Sequence, residues 1–189
     1  ALSPCGDMDM TPNNIVNMAH LLGLDIIALC DHNSIKNIEA TIKAAENLPL
    51  LVVPGMELET SEEVHFVCLF ESVAVAKEFD DWLYPFKPMI KNNPEIFGEQ
   101  RILDENDEQI GTVENLLVSA CSVSIYDVVK KINALSAVII PAHVDRSSYS
   151  IISNLGFVPD DLGFSTVEIS KNITVDEAVS LFPHVEKYN

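Results

Sequence analysis

Three histidines and a glutamate stand in or beside apolar runs of this 189-residue sequence. His32 comes directly after the run D-I-I-A-L-C and its neighbour Asp31. Glu57 comes just after L-L-V-V-P-G. His65 lies at the start of V-H-F-V-C-L-F. His143 follows A-V-I-I-P-A, with Arg146 close behind it. Imidazole and carboxylate together suit zinc, manganese or iron. Where strands and helices alternate in a barrel, residues at the C-terminal strand ends point into the active site. Taken singly, each residue has a plainer explanation. A histidine after a strand is commonly a hydrogen-bonded loop residue, Glu57 a surface acid, and Asp7 in P-C-G-D a turn residue. Their coincidence at several strand ends favours a shared site. His20 sits within an amphipathic helix and reads as structural, and His184 reads as exposed.

The elements that must position these residues follow from hydrophobic pattern and caps. Thr11-Pro12 opens a helix with Thr11 as N-cap, and Gly23 ends it. Residues 25–30 read as a buried strand, 35–47 as a helix, and 50–53 and 64–70 as strands. Residues 73–84 read as a helix. A proline-rich connection follows over 85–99, then a small hairpin pairing 100–103 with 109–112. Its acidic tip, Asp104 to Glu108, reads as solvated surface. Ser124 and Asp127 start a helix running to about 134. Residues 137–141 form a buried strand, 148–155 a helix, 166–169 a strand and 174–182 a helix. This alternation predicts parallel strands joined by crossover helices. No glycine-rich nucleotide loop follows any strand.

Composition narrows the function classes. Hydrophobic residues make up 48%, enough for a full core. The apolar runs fall well short of the ~18 residues a membrane span needs. The formal charge of −18 predicts repulsion of a nucleic acid backbone. Cys5, Cys30, Cys68 and Cys121 form no C-x-x-C pair, so a thiolate zinc site is not expected. Free thiols in apolar strands fit a reducing cytoplasm.

The segments S-P-C-G-D-M-D-M-T-P, I-A-L-C-D-H-N-S, V-P-G-M-E-L-E-T, H-F-V-C-L-F and V-I-I-P-A-H-V-D-R resemble successive motifs of the PHP (polymerase and histidinol phosphatase) superfamily. The resemblance is to its stand-alone bacterial metal-dependent phosphoesterases and runs over nearly the whole chain. It implies a single α/β domain over residues 1–189, a distorted (β/α)7 TIM-like barrel with two or three divalent ions (zinc, manganese or iron) at one face. Carried over by motif, Asp7, His32, Glu57, His65 and His143 match metal ligands, with Glu57 as the bridging carboxylate. Asp31 orients the cluster from behind. The family's opening D-x-H-x-H-S and late D-x-H are absent, so the expectation is a domain cut at both ends and inactive alone.

The activity implied is hydrolysis of a phosphate mono- or diester by a metal-activated water. Arg146 is the better placed of the two arginines to hold the substrate phosphate, a surface ion pair being the alternative. The expected partner is a small phosphorylated substrate, including nucleotides, with no extended nucleic-acid surface and no membrane. The rival reading is a non-catalytic PHP domain acting as a structural or partner-binding module. An amidohydrolase-like site is less favoured, because no lysine stands directly after a strand.

Overall fold

In the computed structural model, Leu2 and residues 6–188 are described. Cys5 lies outside the described residues, as does the side chain of His184. Helix α1 spans Pro12–Leu21, capped by the Thr11 hydroxyl on the Asn14 amide. Strand β1 spans Ile26–Leu29, α2 Ile38–Ala44, β2 Leu51–Glu59 and β3 His65–Leu69. Helix α3 spans Val73–Leu83, a short α4 Pro94–Phe97, and strands β4 and β5 Arg101–Leu103 and Gln109–Thr112. Then come α5 (Ile125–Ala134), β6 (Val138–Pro141), α6 (Ile151–Leu155) and α7 (Val175–Leu181).

The class is α/β, but the sheet is mixed. Four strands run in the order β1-β2-β3-β6. Only β1–β2 is parallel, while β2–β3 and β3–β6 are antiparallel. The uniformly parallel expectation fails at a specific place. Residues 60–64 between β2 and β3 are too few for a crossover helix, so the chain must turn back on itself. The segment expected as a strand at 166–169 is not assigned as one. It still lies along β6, where Glu168 donates its amide to the Pro141 carbonyl and accepts from the Val144 amide.

Strand β2 is longer than its sequence suggests. Pro54 and Gly55 look like an end signal, yet the strand runs through them to Glu59. Proline's missing amide is tolerated, and its carbonyl accepts from the Phe70 amide. Gly55 is needed for space: a Cβ there would stand 2.5 Å from Cys30 Sγ and 3.0 Å from the Leu29 carbonyl oxygen.

Alternation along β2 and β3 divides two environments. Met56, Leu58, Phe66 and Cys68 are fully buried on one face. They join Phe79 and Leu83 of α3 and Val128 and Ile132 of α5 in the main core. Glu57, Glu59 and His65 occupy the other face. A smaller cluster joins Val16 and Ala19 of α1 to Ala45, Leu50 and Val52. Strand β1, expected to be buried, pairs only with β2 among the described residues, and Ile26 is 62% exposed. Val138 at the start of β6 is likewise exposed.

Residues 90–116 form an excursion that leaves and rejoins the body at one point. Leu116 donates to the Ile90 carbonyl and Asn92 to the Glu114 carbonyl. Buried Gln100 closes the excursion from within, donating to the Val113 and Asn115 carbonyls and accepting from the Leu117 amide. The hairpin tip is not merely solvated surface. Asp107 accepts hydrogen bonds from the Thr11 hydroxyl and the Asn13 amide, at the α1 N-terminus.

Candidate metal centre

The parallel register of β1 and β2 builds the first half of the site. It pairs Ile26 with Leu51 and Leu29 with Pro54, and the same offset recurs beyond the strand in a bridge between His32 and Glu57. The Glu57 amide donates to the Asp31 carbonyl and the Asn33 amide to the Glu57 carbonyl. Asn33, at φ 47°, locks this junction. Its side chain accepts from the Glu59 amide and donates to the Leu117 and Ser119 carbonyls. The antiparallel ladder supplies the second half, setting His65 opposite Glu59 and diagonal to Glu57. His143 arrives just past the end of β6 with φ 33°, a conformation disfavoured for a non-glycine residue.

Three imidazoles surround one carboxylate. His65 Nδ1 stands 3.2 Å from Glu57 Oε1, His143 Nε2 3.6 Å from the same oxygen, and His32 Nε2 3.6 Å from Oε2. Only the His65 contact has hydrogen-bond length; the 3.6 Å contacts are electrostatic. Glu59, which the sequence reading passed over, is buried with Oε2 3.7 Å from His65 Nε2. Burial opposes ionisation of Glu57, but the imidazoles of His143, His65 and His32 outweigh it and hold its carboxyl below the usual range. Burial also disfavours charge on His65, yet Glu57 and Glu59 raise it to about 9. For His32 burial wins and the shift is downward.

This donor set fits a cation. Ligand atoms of His32, Glu57 and His65 lie within 4.8 Å of one another. Both ring nitrogens of buried His143 and Nδ1 of His32 have no hydrogen-bond partner. Buried donors or acceptors left unpaired are costly, and a divalent ion would satisfy several at once.

The remaining expected residues divide. Asp31 is buried behind the cluster. Its Oδ1 accepts from the Leu2 amide, its Oδ2 has no partner, and burial raises its pKa. Asp7 is not brought into the group. It is exposed, and its carboxylate accepts from the Asp9 amide as a turn residue. Arg146 lines the cavity over the cluster and makes no ion pair among the described residues, despite the 29 acids of the chain. That cavity, about 850 Å³, is also lined by Cys30, Phe97, Val118, Tyr149 and Glu168. Burial, then the Glu57 and Asp31 charges, push the Cys30 thiol up to about 12, so it is no ready thiolate ligand. Glu168, also passed over in sequence, accepts from the His143 amide and helps fix its turn.

Solved structures share this arrangement of elements. Endonuclease Q from Pyrococcus furiosus superposes with a TM-score of 0.67 at 18% identity over 94% of this chain. A complex of Endonuclease Q with a 27-mer duplex, its abasic lesion at the active site, gives 0.69 at 17% over 98%. A metal-dependent phosphoesterase from Bifidobacterium adolescentis gives 0.61 at 15% over 94% of this chain and 78% of that one. At 15–18% identity, the likeness is one of fold. The chain spans 41% and 44% of the two Endonuclease Q chains. In sequence it is 31% identical over 70 residues to the 5'-3' exoribonuclease of Haemophilus influenzae, covering 35% of this chain and 26% of that enzyme. No family model matches the chain. Among the described residues, no helix is long and apolar enough to cross a membrane.

The expected partner requires correction. A small substrate with no extended nucleic-acid surface was inferred from the net charge, whereas the Endonuclease Q structure of the same fold holds a DNA duplex. Net charge describes the whole surface. A cavity that gathers three imidazoles, carboxylates and an unpaired arginine sets its own local field.

Proposed function

We propose that residues 1–189 form one PHP-type domain of a metal-dependent hydrolase that cleaves phosphodiester bonds of nucleic acid. The observation that carries this reading is the Glu57 carboxylate, faced by His32, His65 and His143 inside one cavity beside unpaired Arg146. The four-stranded sheet is then part of the family's distorted (β/α)7 barrel. The names of the similar proteins, two nucleases and a phosphoesterase, support the substrate class.

His32, His65, His143 and Glu57 would supply ligands to divalent metal (zinc, manganese or iron), with Glu57 presenting one oxygen to His32 and the other to His65 and His143. Bound there, such ions supply Lewis acidity toward a phosphate oxygen and make water a better nucleophile near neutral pH. Arg146 offers a planar fork to the phosphate. Asp31, whose pKa burial raises, acts as a positioning residue at the junction of β1 and His32. Glu59 Oε2 faces the far nitrogen of His65 at 3.7 Å, an electrostatic contact that favours the ring orientation with Nδ1 toward Glu57.

The test uses the full-length protein, loaded with manganese, against 5'- and 3'-labelled single-stranded RNA and duplex DNA. Metal-dependent cleavage of phosphodiester bonds, abolished by EDTA and by Glu57→Gln, is the expected result. A metal-loaded protein that cleaves none of these strands overturns the proposal.

A further inference from the structure

Tyr149 has no part in metal binding, yet the chain holds it against the centre at some cost. Its backbone is left-handed, φ 56°, an outlier for a bulky side chain. Three contacts enforce that conformation. The Tyr149 carbonyl accepts from the His65 amide at 3.0 Å, the Arg146 amide donates to the His143 carbonyl, and the Ser150 hydroxyl donates to the Arg146 carbonyl at 2.8 Å. The outcome is a ring stacked on His65, centroids 5.0 Å apart and planes at 22°. One face is covered by the imidazole, and the residue remains 48% exposed in the cavity wall.

A structural aromatic would bury its ring or engage its hydroxyl. Tyr149 does neither, since its phenol makes no hydrogen bond among the described residues. The same cavity is also lined by Phe97, 39% exposed, and Val118. Arg146 is on the wall with Tyr149. The cavity, about 850 Å³, lies within the roughly 300–1,000 Å³ of organic-ligand sites. It offers an anion-holding part beside a flat apolar one.

The geometry points to Tyr149 as a stacking platform for an unpaired nucleobase next to the scissile phosphate. The inference rests on the phosphodiesterase reading above and specifies which part of the strand is gripped. A base has a π-face whatever its identity, so such a platform grips single strands without reading sequence. Duplex DNA presents no free face, so the platform favours single-stranded or locally unpaired substrate.

The experiment measures binding and does not depend on turnover. Two fluorescein-labelled oligothymidylates, one intact and one with abasic residues at its 5' end, are titrated into full-length protein by anisotropy, with manganese and with EDTA. The intact strand is expected to bind about tenfold more tightly, within the range of one base–aromatic stack. That ratio should fall toward one in Tyr149→Leu and survive in Tyr149→Phe. In the wild type, 2-aminopurine at the 5' end should be quenched on binding, which reads ring contact without any variant. Binding with an unchanged ratio in Tyr149→Leu, or without quenching, overturns the platform and leaves the nucleic-acid reading standing. Failure to bind either strand in either buffer overturns both.

Discussion

Two acidic regions of this chain look alike in sequence and behave oppositely. At the hairpin tip, Asp104 accepts from the Asn106 and Glu108 amides, and Asp107 caps α1 through Thr11 and Asn13. Those carboxylates spend their lone pairs on the chain's own donors. In the cavity, Glu57 and three imidazoles face one another with one contact of hydrogen-bond length, and His143 has neither nitrogen satisfied. The tip is complete as folded, while the cavity leaves buried nitrogens of His32 and His143 without partners. Acidic residues mark a site only where the backbone leaves them unanswered.

The largest break in that contrast is Glu57→Gln. Removing the charge all three imidazoles share should lower metal affinity by about 100-fold or more, the upper end of what even supporting residues cost. Elemental analysis after dialysis checks it, and full metal retention would move the centre elsewhere. The same change at Asp107 should leave metal content untouched.

Acidity should separate the regions next. In the metal-free protein His65 carries its proton up to about 9. A raised folded value stabilises the fold fully below the ordinary 6.5, and that stability is lost as pH climbs through about 9. Metal binding needs the neutral ring, so it expels this proton. Affinity should rise about tenfold per pH unit below about 9, while stability of the metal-free protein falls over the same window. Calorimetry in buffers of different ionisation heat counts the proton, and a pH-independent affinity would count against His65 as a ligand.

Gly55→Ala sharpens the comparison from the backbone side. The added methyl meets Cys30 and the Leu29 carbonyl, and overpacking of this kind costs about 1–3 kcal/mol. Because β1 and β2 carry His32 and Glu57, urea midpoint and metal affinity should drop together. A drop in stability alone would show that the register absorbs the strain. The smallest effect is Asp107→Ala, about 1 kcal/mol from a lost helix cap, read as a lower urea midpoint. A midpoint within error of wild type would make the tip contact incidental.

His32, Glu57, His65 and His143 were legible because each stands at or near the end of an apolar run. Glu59 was hidden by Pro54-Gly55, which reads as a strand end. Extending the strand through it would have put Glu59 two residues along on the Glu57 face. The antiparallel turn at 60–64 was hidden with it, because a strand ending at 53 leaves the whole of 54–63 as connection. The exposure of β1 was not legible, since apolar residues signal a strand and not how many neighbours it has. Tyr149 gave no signal at all, because its placement depends on a left-handed turn fixed by partners distant in sequence.

The excursion at 90–116 departs and returns through paired backbone positions, Ile90 with Leu116 and Asn92 with Glu114. Its hairpin is tied to the body as well: Asn37 donates to the Arg101 carbonyl and accepts from the Leu103 amide, and Asp107 caps α1. Exposed residues 93–99, between the paired base and that hairpin, are the replaceable attachment, free to lengthen or be exchanged while the β2–β3 frame beneath keeps its dimensions. The attachment is not detached from the chemistry, because Phe97 reaches the cavity and Asn33 holds Leu117 just past its base. Diversity of substrate among proteins of this architecture would then accumulate in one removable wall, over a floor that stays constant.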